Sequence, residues 1–228
     1  MNIELTPNEA RVLGVLLEKA ATTPDQYPLS LNAVMTGCNQ KSNRDPVLQL
    51  DQTETVAALD GLVSKHLIRE RSDAGSRVSK YAHRLTGSLG LTYDFAEDEL
   101  AVLCVLMLRG PQTVGEVRVR TARLWQFHGL DEVQRVLDRL AEHKDGPYAQ
   151  RLAREPGRKE ARYAHLLCGT AGFDAVLEAA DDESAPVPEA QTQPEPIAGE
   201  ESRITRLEAD VAELKRALAD LKAQLGAC

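Results

Sequence analysis

Two short stretches decide how this chain is read: Tyr81-Ala82-His83-Arg84-Leu85 and Tyr163-Ala164-His165-Leu166-Leu167. Working upstream from each, Leu59-Asp60-Gly61-Leu62 is answered by Leu137-Asp138-Arg139-Leu140, and an apolar helical segment opens each unit, over 9–20 in the first and 97–108 in the second. The echoes keep their order but not a constant offset, as expected when loops differ in length. Two copies point to duplication of a domain, since a solenoid needs three or more repeats.

The first unit is punctuated clearly. Thr6-Pro7-Asn8-Glu9 reads as a capping box with proline at the first helical position, followed by an inward stripe of Leu13, Leu16, Leu17 and Ala20. Two prolines in 22–28 mark a loop, and Ser30 can cap a short helix through Met35. Asp51-Gln52-Thr53-Glu54 is a second capping box, and its helix turns Val56, Leu59, Leu62 and Val63 inward. Residues 67–71 and 77–85 then read as two strands around Asp73-Ala74-Gly75-Ser76.

The second unit repeats this order. Asp94 and Glu97 suggest a box-like start, and Arg109-Gly110-Pro111 stops the helix. Thr113-Val114-Gly115-Glu116 begins the next helix, and a third spans about 131–142 with Val133, Val136, Leu137 and Leu140 inward. Residues 148–154 and 159–167 form a hairpin through Glu155-Pro156-Gly157-Arg158. Three helices and a hairpin is the order of a helix-turn-helix with a wing. The expected fold is mainly α with small β-hairpins (α+β): tandem winged-helix domains over 1–88 and 89–172.

The remainder is different material. Residues 173–201 are acidic and proline-rich, which predicts an extended linker. Ile204, Leu207, Val211, Leu214, Leu218, Leu221 and Leu225 alternate spacings of three and four, a heptad seam. Leu at every d position and branched residues at two a positions favour a parallel pair. The segment 202–226 is therefore expected to be a coiled-coil helix joining two chains as a homodimer. The competing expectation is an amphipathic helix folded back on its own domains.

Composition narrows the task. Hydrophobic residues make up 43% and aromatics 4%, which favours helices packed by aliphatic side chains over aromatic-rich sandwiches. The net charge of −8 comes entirely from 173–228, with 5 basic and 13 acidic residues, while 1–88 carry 10 of each and 89–172 carry 12 of each. A neutral body leaves room for a locally basic face. Cys38, Cys104, Cys168 and Cys228 form no close pair, so neither a zinc site nor a disulfide scaffold is expected, and Cys104 reads as a buried small hydrophobe. The longest apolar run, 100–108, is about half a membrane span, and the first residues lack a signal-peptide pattern. A cytoplasmic protein without membrane partner or cofactor is expected.

A family resemblance is carried by LEKAATTPDQYPLSLNAV from position 17, CNQKSNRDPV from 38, RVSKYAHRL from 77, LRGPQTVGEVR from 108 and GRKEARYAHLL from 157. Over roughly 5–168 the chain resembles the YceH-like family of bacterial proteins. The resemblance implies two winged-helix domains and brings no catalytic residue with it.

Winged helices suggest double-stranded DNA as partner, yet the third helix of unit one is acidic before Lys65. The expected contacts are therefore loops and wings: Lys41, Arg44, Arg77, Lys80 and Arg84 in unit one, and Arg118, Arg120, Arg123, Arg158 and Lys159 in unit two, with Arg135 and Arg139 on its third helix. The alternative is a protein–protein docking module bound to an unknown protein partner without DNA. Trp125 and Phe127 read as local core rather than a base-stacking platform. An enzyme is not expected: no HxxxH or GxxxxGK spacing occurs, and the repeated Tyr-x-His reads as a packed histidine whose ring nitrogens bond internally.

Overall fold

A computed structural model describes residues 3–72, 78–86, 94–154 and 160–169. The linker at 173–201 and the heptad seam from Ile204 to Leu225 lie outside the described residues, as do Arg77, Arg158 and Lys159.

Local chemistry sets the helix starts. In α1 (Pro7–Thr22), Thr6 Oγ1 accepts the Glu9 N–H at 3.2 Å and the Glu9 carboxylate accepts the Thr6 N–H at 2.7 Å. Ser30 caps α2 (Leu31–Cys38), which runs three residues past Met35. Reciprocal boxes at Asp51/Glu54 and Thr113/Glu116 begin α3 (Gln52–Ser64) and α5 (Val114–Thr121). The expected box at Asp94 and Glu97 is displaced. Helix α4 (Glu97–Arg109) begins after Ala96, whose side chain accepts nothing; Glu99, one turn in, accepts the Ala96 N–H at 3.0 Å. Gly129 precedes α6 (Leu130–Ala141).

Strand β1 (Leu29–Ser30) joins β2 (Ile68–Arg71) and β3 (Lys80–His83) in an antiparallel sheet of order β1-β3-β2, with Leu29 opposite Tyr81 and Ile68 opposite His83. In the second repeat, β4 (Ala149–Arg151) pairs with β5 (Tyr163–His165), and Gln112 forms an isolated bridge to Tyr163. The two tyrosines of the repeated motif thus meet equivalent segments, each just before the second helix of its unit. The fold is mixed α and β, with six helices and small antiparallel sheets among the described residues.

The inward stripe on α1 underestimates its burial. Every residue from 9 to 17 is buried, and so is every residue of α4 from 99 to 108. A helix apolar all round needs cover on both sides. For α1 the second cover is α4, and both repeats belong to one compact unit. Gly14 permits the close approach: a Cβ there would sit 2.9 Å from Leu108 Cδ2 and 3.4 Å from Met107 Cβ. The buried Cys104 thiol donates to the Gly14 carbonyl at 3.4 Å, and burial pushes its pKa up, in keeping with a packed small side chain. Backbone bonds from Leu5 N–H to the Leu167 carbonyl (2.7 Å) and from Asp45 N–H to the Leu108 carbonyl (2.9 Å) also cross between repeats. Gly14→Leu overpacks this seam and should cost about 1–3 kcal/mol. Urea titration should show a lower midpoint with an unchanged slope; an unchanged midpoint would mean that the helices part without penalty.

The Tyr-x-His motif packs β3 against α1 and β5 against α4. The His83 N–H donates to the Tyr27 hydroxyl at 2.6 Å, and His83 Nδ1 accepts the Leu85 N–H at 3.5 Å. Its counterpart departs from expectation: His165 Nδ1 is buried without a hydrogen-bond partner among the described residues. Burial lowers both imidazoles to about 4, with Arg69 adding to the effect at His83, so both are neutral at pH 7. Against an unfolded value of about 6.5, these depressed pKa values give stability that is present above pH 6.5 and lost as pH falls toward 4. Denaturation midpoints measured across that window should fall; a flat profile would contradict neutral burial. No helix among the described residues is long and apolar enough to cross a membrane.

Candidate anion-binding cleft

The polar loop between α2 and α3 is held in shape from within. The Asn39 side chain donates to the Leu50 carbonyl and accepts the Leu50 N–H, both at 2.8 Å. Arg44 is the second clamp. Its Nη1 and Nη2 reach the Glu18 carboxylate at 3.0 and 2.7 Å, Nη1 also donates to the Asn43 carbonyl, Nη2 to Gln40 Oε1, and Nε to the Gly37 carbonyl. All five of its N–H donors are engaged. Burial alone would raise the Glu18 pKa, but the bonds and charge of Arg44, with Lys19, outweigh it and hold the carboxyl below its usual range. Arg44, expected at a nucleic-acid surface, is only 5% exposed and builds the loop instead.

That clamp leaves Lys41, Ser42 and Asn43 on the outside, facing the second repeat. The Asn43 side chain, on a residue with φ 61°, accepts from Arg109 at the end of α4. An open cleft of about 520 Å³ lies between, lined by Lys19 from α1, Lys41 and Asn43 from the loop, Arg109, Arg120 at the end of α5, and Arg123. Glu18 is the one carboxylate in this lining, and Arg44 already occupies it. Burial first, and then the charges of Arg120 and Arg44, lower the Arg109 pKa against the opposing charges of Glu18 and Asp45. Arg120 has a partial partner in Glu116 at 3.3 Å. Lys41, Arg118 and Arg123 are exposed and have no ion-pair partner among the described residues.

The other expected contacts separate from this cluster. Arg118 lies on the outer side of α5 and does not line the cleft. Arg135 pairs with Asp131 at 3.3 Å, and Arg139 is held by Asp98 at 2.7 Å and Glu99 at 3.1 Å, which ties α6 to the start of α4. Lys80 and Arg84 are half-buried on and beside β3. The aromatic pair divides: Phe127 is buried as expected, whereas Trp125 is 40% exposed. Lys19 and Arg109 were not anticipated. Arg109 reads as the cation that ends a helix, and nothing in the local pattern sets it opposite Asn43. Among the described residues no three His, Cys, Asp or Glu side chains gather as a metal site would require.

The chain matches the family model described as "Protein of unknown function, DUF480" over residues 5–158. It is 47% identical over 227 residues to the UPF0502 protein YceH of Escherichia fergusonii, covering 99% of this chain and 100% of the relative. Identity and coverage are the same for the proteins of that name from Salmonella newport and Salmonella heidelberg. The chain belongs to the DUF480 family, whose YceH members it resembles from end to end. The matched span includes the entire lining of the cleft, Glu18 to Leu124.

Proposed function

We propose that the two repeats are tandem winged helices and that together they bind double-stranded DNA through its phosphates, at the cleft between them. The winged-helix reading rests on the recurrence of three helices and a hairpin, and on the short third segment that meets Tyr81 in one unit and Tyr163 in the other. The observation that carries the DNA reading is the convergence of Lys19, Lys41, Arg109, Arg120 and Arg123, from both repeats, around one cleft whose lone carboxylate is already neutralised.

Such an arrangement grips a backbone rather than reading bases. The third helices fit that division. Asp51 at the start of α3 and Glu54 and Asp60 on it are exposed, and the two arginines of α6 are bound to acids. The reading therefore expects weak sequence preference and strong salt dependence. Pairing through the heptad seam would present two clefts to one duplex and raise avidity. The test is a titration of a random-sequence duplex with the full-length protein and with Lys41→Glu/Arg123→Glu. Loss of binding in the variant supports the cleft, and equal binding by both proteins contradicts it.

A further inference from the structure

On another side of the α1–α4 seam lies a smaller cavity of about 180 Å³. Leu48 of the α2–α3 loop, Leu106 and Met107 of α4, Pro111, and Ala164 of β5 give it apolar walls from both repeats. Burial, then the charge of Arg44, lower the pKa of Arg11 on this lining, and the Asp45 carboxylate beside it opposes them. With one arginine, one carboxylate and a neutral His165, the lining has no net charge to attract an ion. Its apolar surface continues outward: Pro46 is exposed, Leu48 is half-buried, and Val47 between them is 51% exposed. Apolar surface gathered at the mouth of a cavity marks a place where something docks.

The last described residues bring the chain to this cavity. The Leu167 carbonyl accepts the Leu5 N–H, Cys168 lies on the lining, and Gly169 (φ 69°) turns the backbone, its N–H donating to the Leu166 carbonyl at 3.1 Å. Four residues later the sequence reads Phe173-Asp174-Ala175-Val176-Leu177. The prolines of the acidic stretch begin only at Pro186, so this piece is apolar material placed ahead of them. Phe173, Val176 and Leu177 have the i, i+3, i+4 spacing that gathers apolar side chains on one face. Of the chain's three phenylalanines, the other two, Phe95 and Phe127, are buried. The five residues from Cys168 to Phe173 reach at most roughly 18 Å, and the cavity begins at Cys168 itself.

We propose that Phe173, Val176 and Leu177 fold back onto this cavity, the Phe173 ring entering among Leu48, Met107 and Ala164 and the two aliphatic side chains covering Val47 and its neighbours. The volume suits one aromatic ring, since an engineered apolar cavity of roughly 150 Å³ holds benzene. Docking removes apolar surface from water on both sides of the contact. The short tether makes the event intramolecular, which favours this segment over a free partner or a second copy of the chain. Because the walls belong to both repeats, the seated segment braces one against the other. The inference is independent of the nucleic-acid reading.

Full-length protein labelled at methyl groups and phenylalanine rings tests this without a variant. Nuclear Overhauser contacts are expected from the Phe173 ring to the Met107 and Ala164 methyl groups. In a mixture of labelled and unlabelled chains, these contacts should arise within one chain and be absent between chains. Phe173→Asp sets a second carboxylate against Asp45 and exposes the cavity edge. In a Cys228→Ser background, with Cys38 and Cys104 buried, it should speed attack of a thiol reagent on Cys168 by about tenfold or more. Val187→Asp, which adds the same charge beyond Pro186, should leave that rate unchanged. Absence of the Phe173 contacts, contacts found only between chains, an unchanged Cys168 rate in Phe173→Asp, or an equal acceleration in Val187→Asp would each overturn the proposal.

Discussion

Replacing Arg44 with Ala is expected to remove about 3–5 kcal/mol of stability, the usual consequence of breaking a buried ion pair from one side. The substitution strips Glu18 of its two-point partner and leaves the half-buried Lys19, 3.5 Å away, as its remaining cation. It also orphans the Gly37 and Asn43 carbonyls that Arg44 satisfies. For a body of this size the loss corresponds to a fall in Tm of roughly 10 °C. The pH dependence provides a second readout. In the wild type the lowered Glu18 pKa gives stability that is present above the unfolded value of about 4.3 and lost as pH falls through the folded one. In Arg44→Ala, burial acts on Glu18 with little opposition and raises its pKa, so the variant's deficit should shrink in acid. A loss below about 1 kcal/mol would place the pair with ordinary surface ion pairs and remove the clamp from the account.

The double reversal Lys41→Glu/Arg123→Glu is expected to leave the fold intact and to lower duplex affinity by about two orders of magnitude at low salt, with the slope of log K against log salt reduced by about 2. Both side chains are exposed, so their effect on stability should stay within about 0.5 kcal/mol. Arg135→Glu is the control: an exposed arginine on α6, paired with Asp131 and outside the cleft. The control reverses one charge where the double variant reverses two, so a control that costs half the loss in log affinity would mean that binding follows overall charge and that the cleft has no special role.

Much of the architecture was legible because helix starts are written locally. Thr6/Glu9, Asp51/Glu54 and Thr113/Glu116 each contain both halves of a reciprocal box within four residues. The start of α4 was misplaced because its active carboxylate, Glu99, stands among Glu97 and Asp98, and composition does not say which of the three turns back. Strand β1 escaped notice because two residues show no alternation; its place depends on a partner 52 positions away. The contacts between repeats were not legible at all. The nine buried residues of α1 follow from α4 lying across it, and periodicity within α1 cannot show that.

The candidate site divides the same way. Lys41, Arg120 and Arg123 are among the contacts expected from the basic loops, and they do line one cleft. Arg44 belongs to the same short loop and is indistinguishable from Lys41 by pattern, yet its partner Glu18 lies 26 residues upstream. Arg139, an expected DNA contact, is instead bound to Asp98 and Glu99, which lie some 40 residues away and are invisible from its own helix.

The central claim, that the two repeats grip phosphates jointly, is tested most directly by fluorescence anisotropy of a labelled random-sequence duplex titrated with the full-length protein across a salt series. The account predicts binding at about 50 mM salt that weakens steeply toward 200 mM, with a log–log slope of roughly −2 to −4.5, as expected for two to five phosphate contacts. No binding at low salt, or an affinity indifferent to salt, would contradict it and leave the fold as a platform for docking another protein.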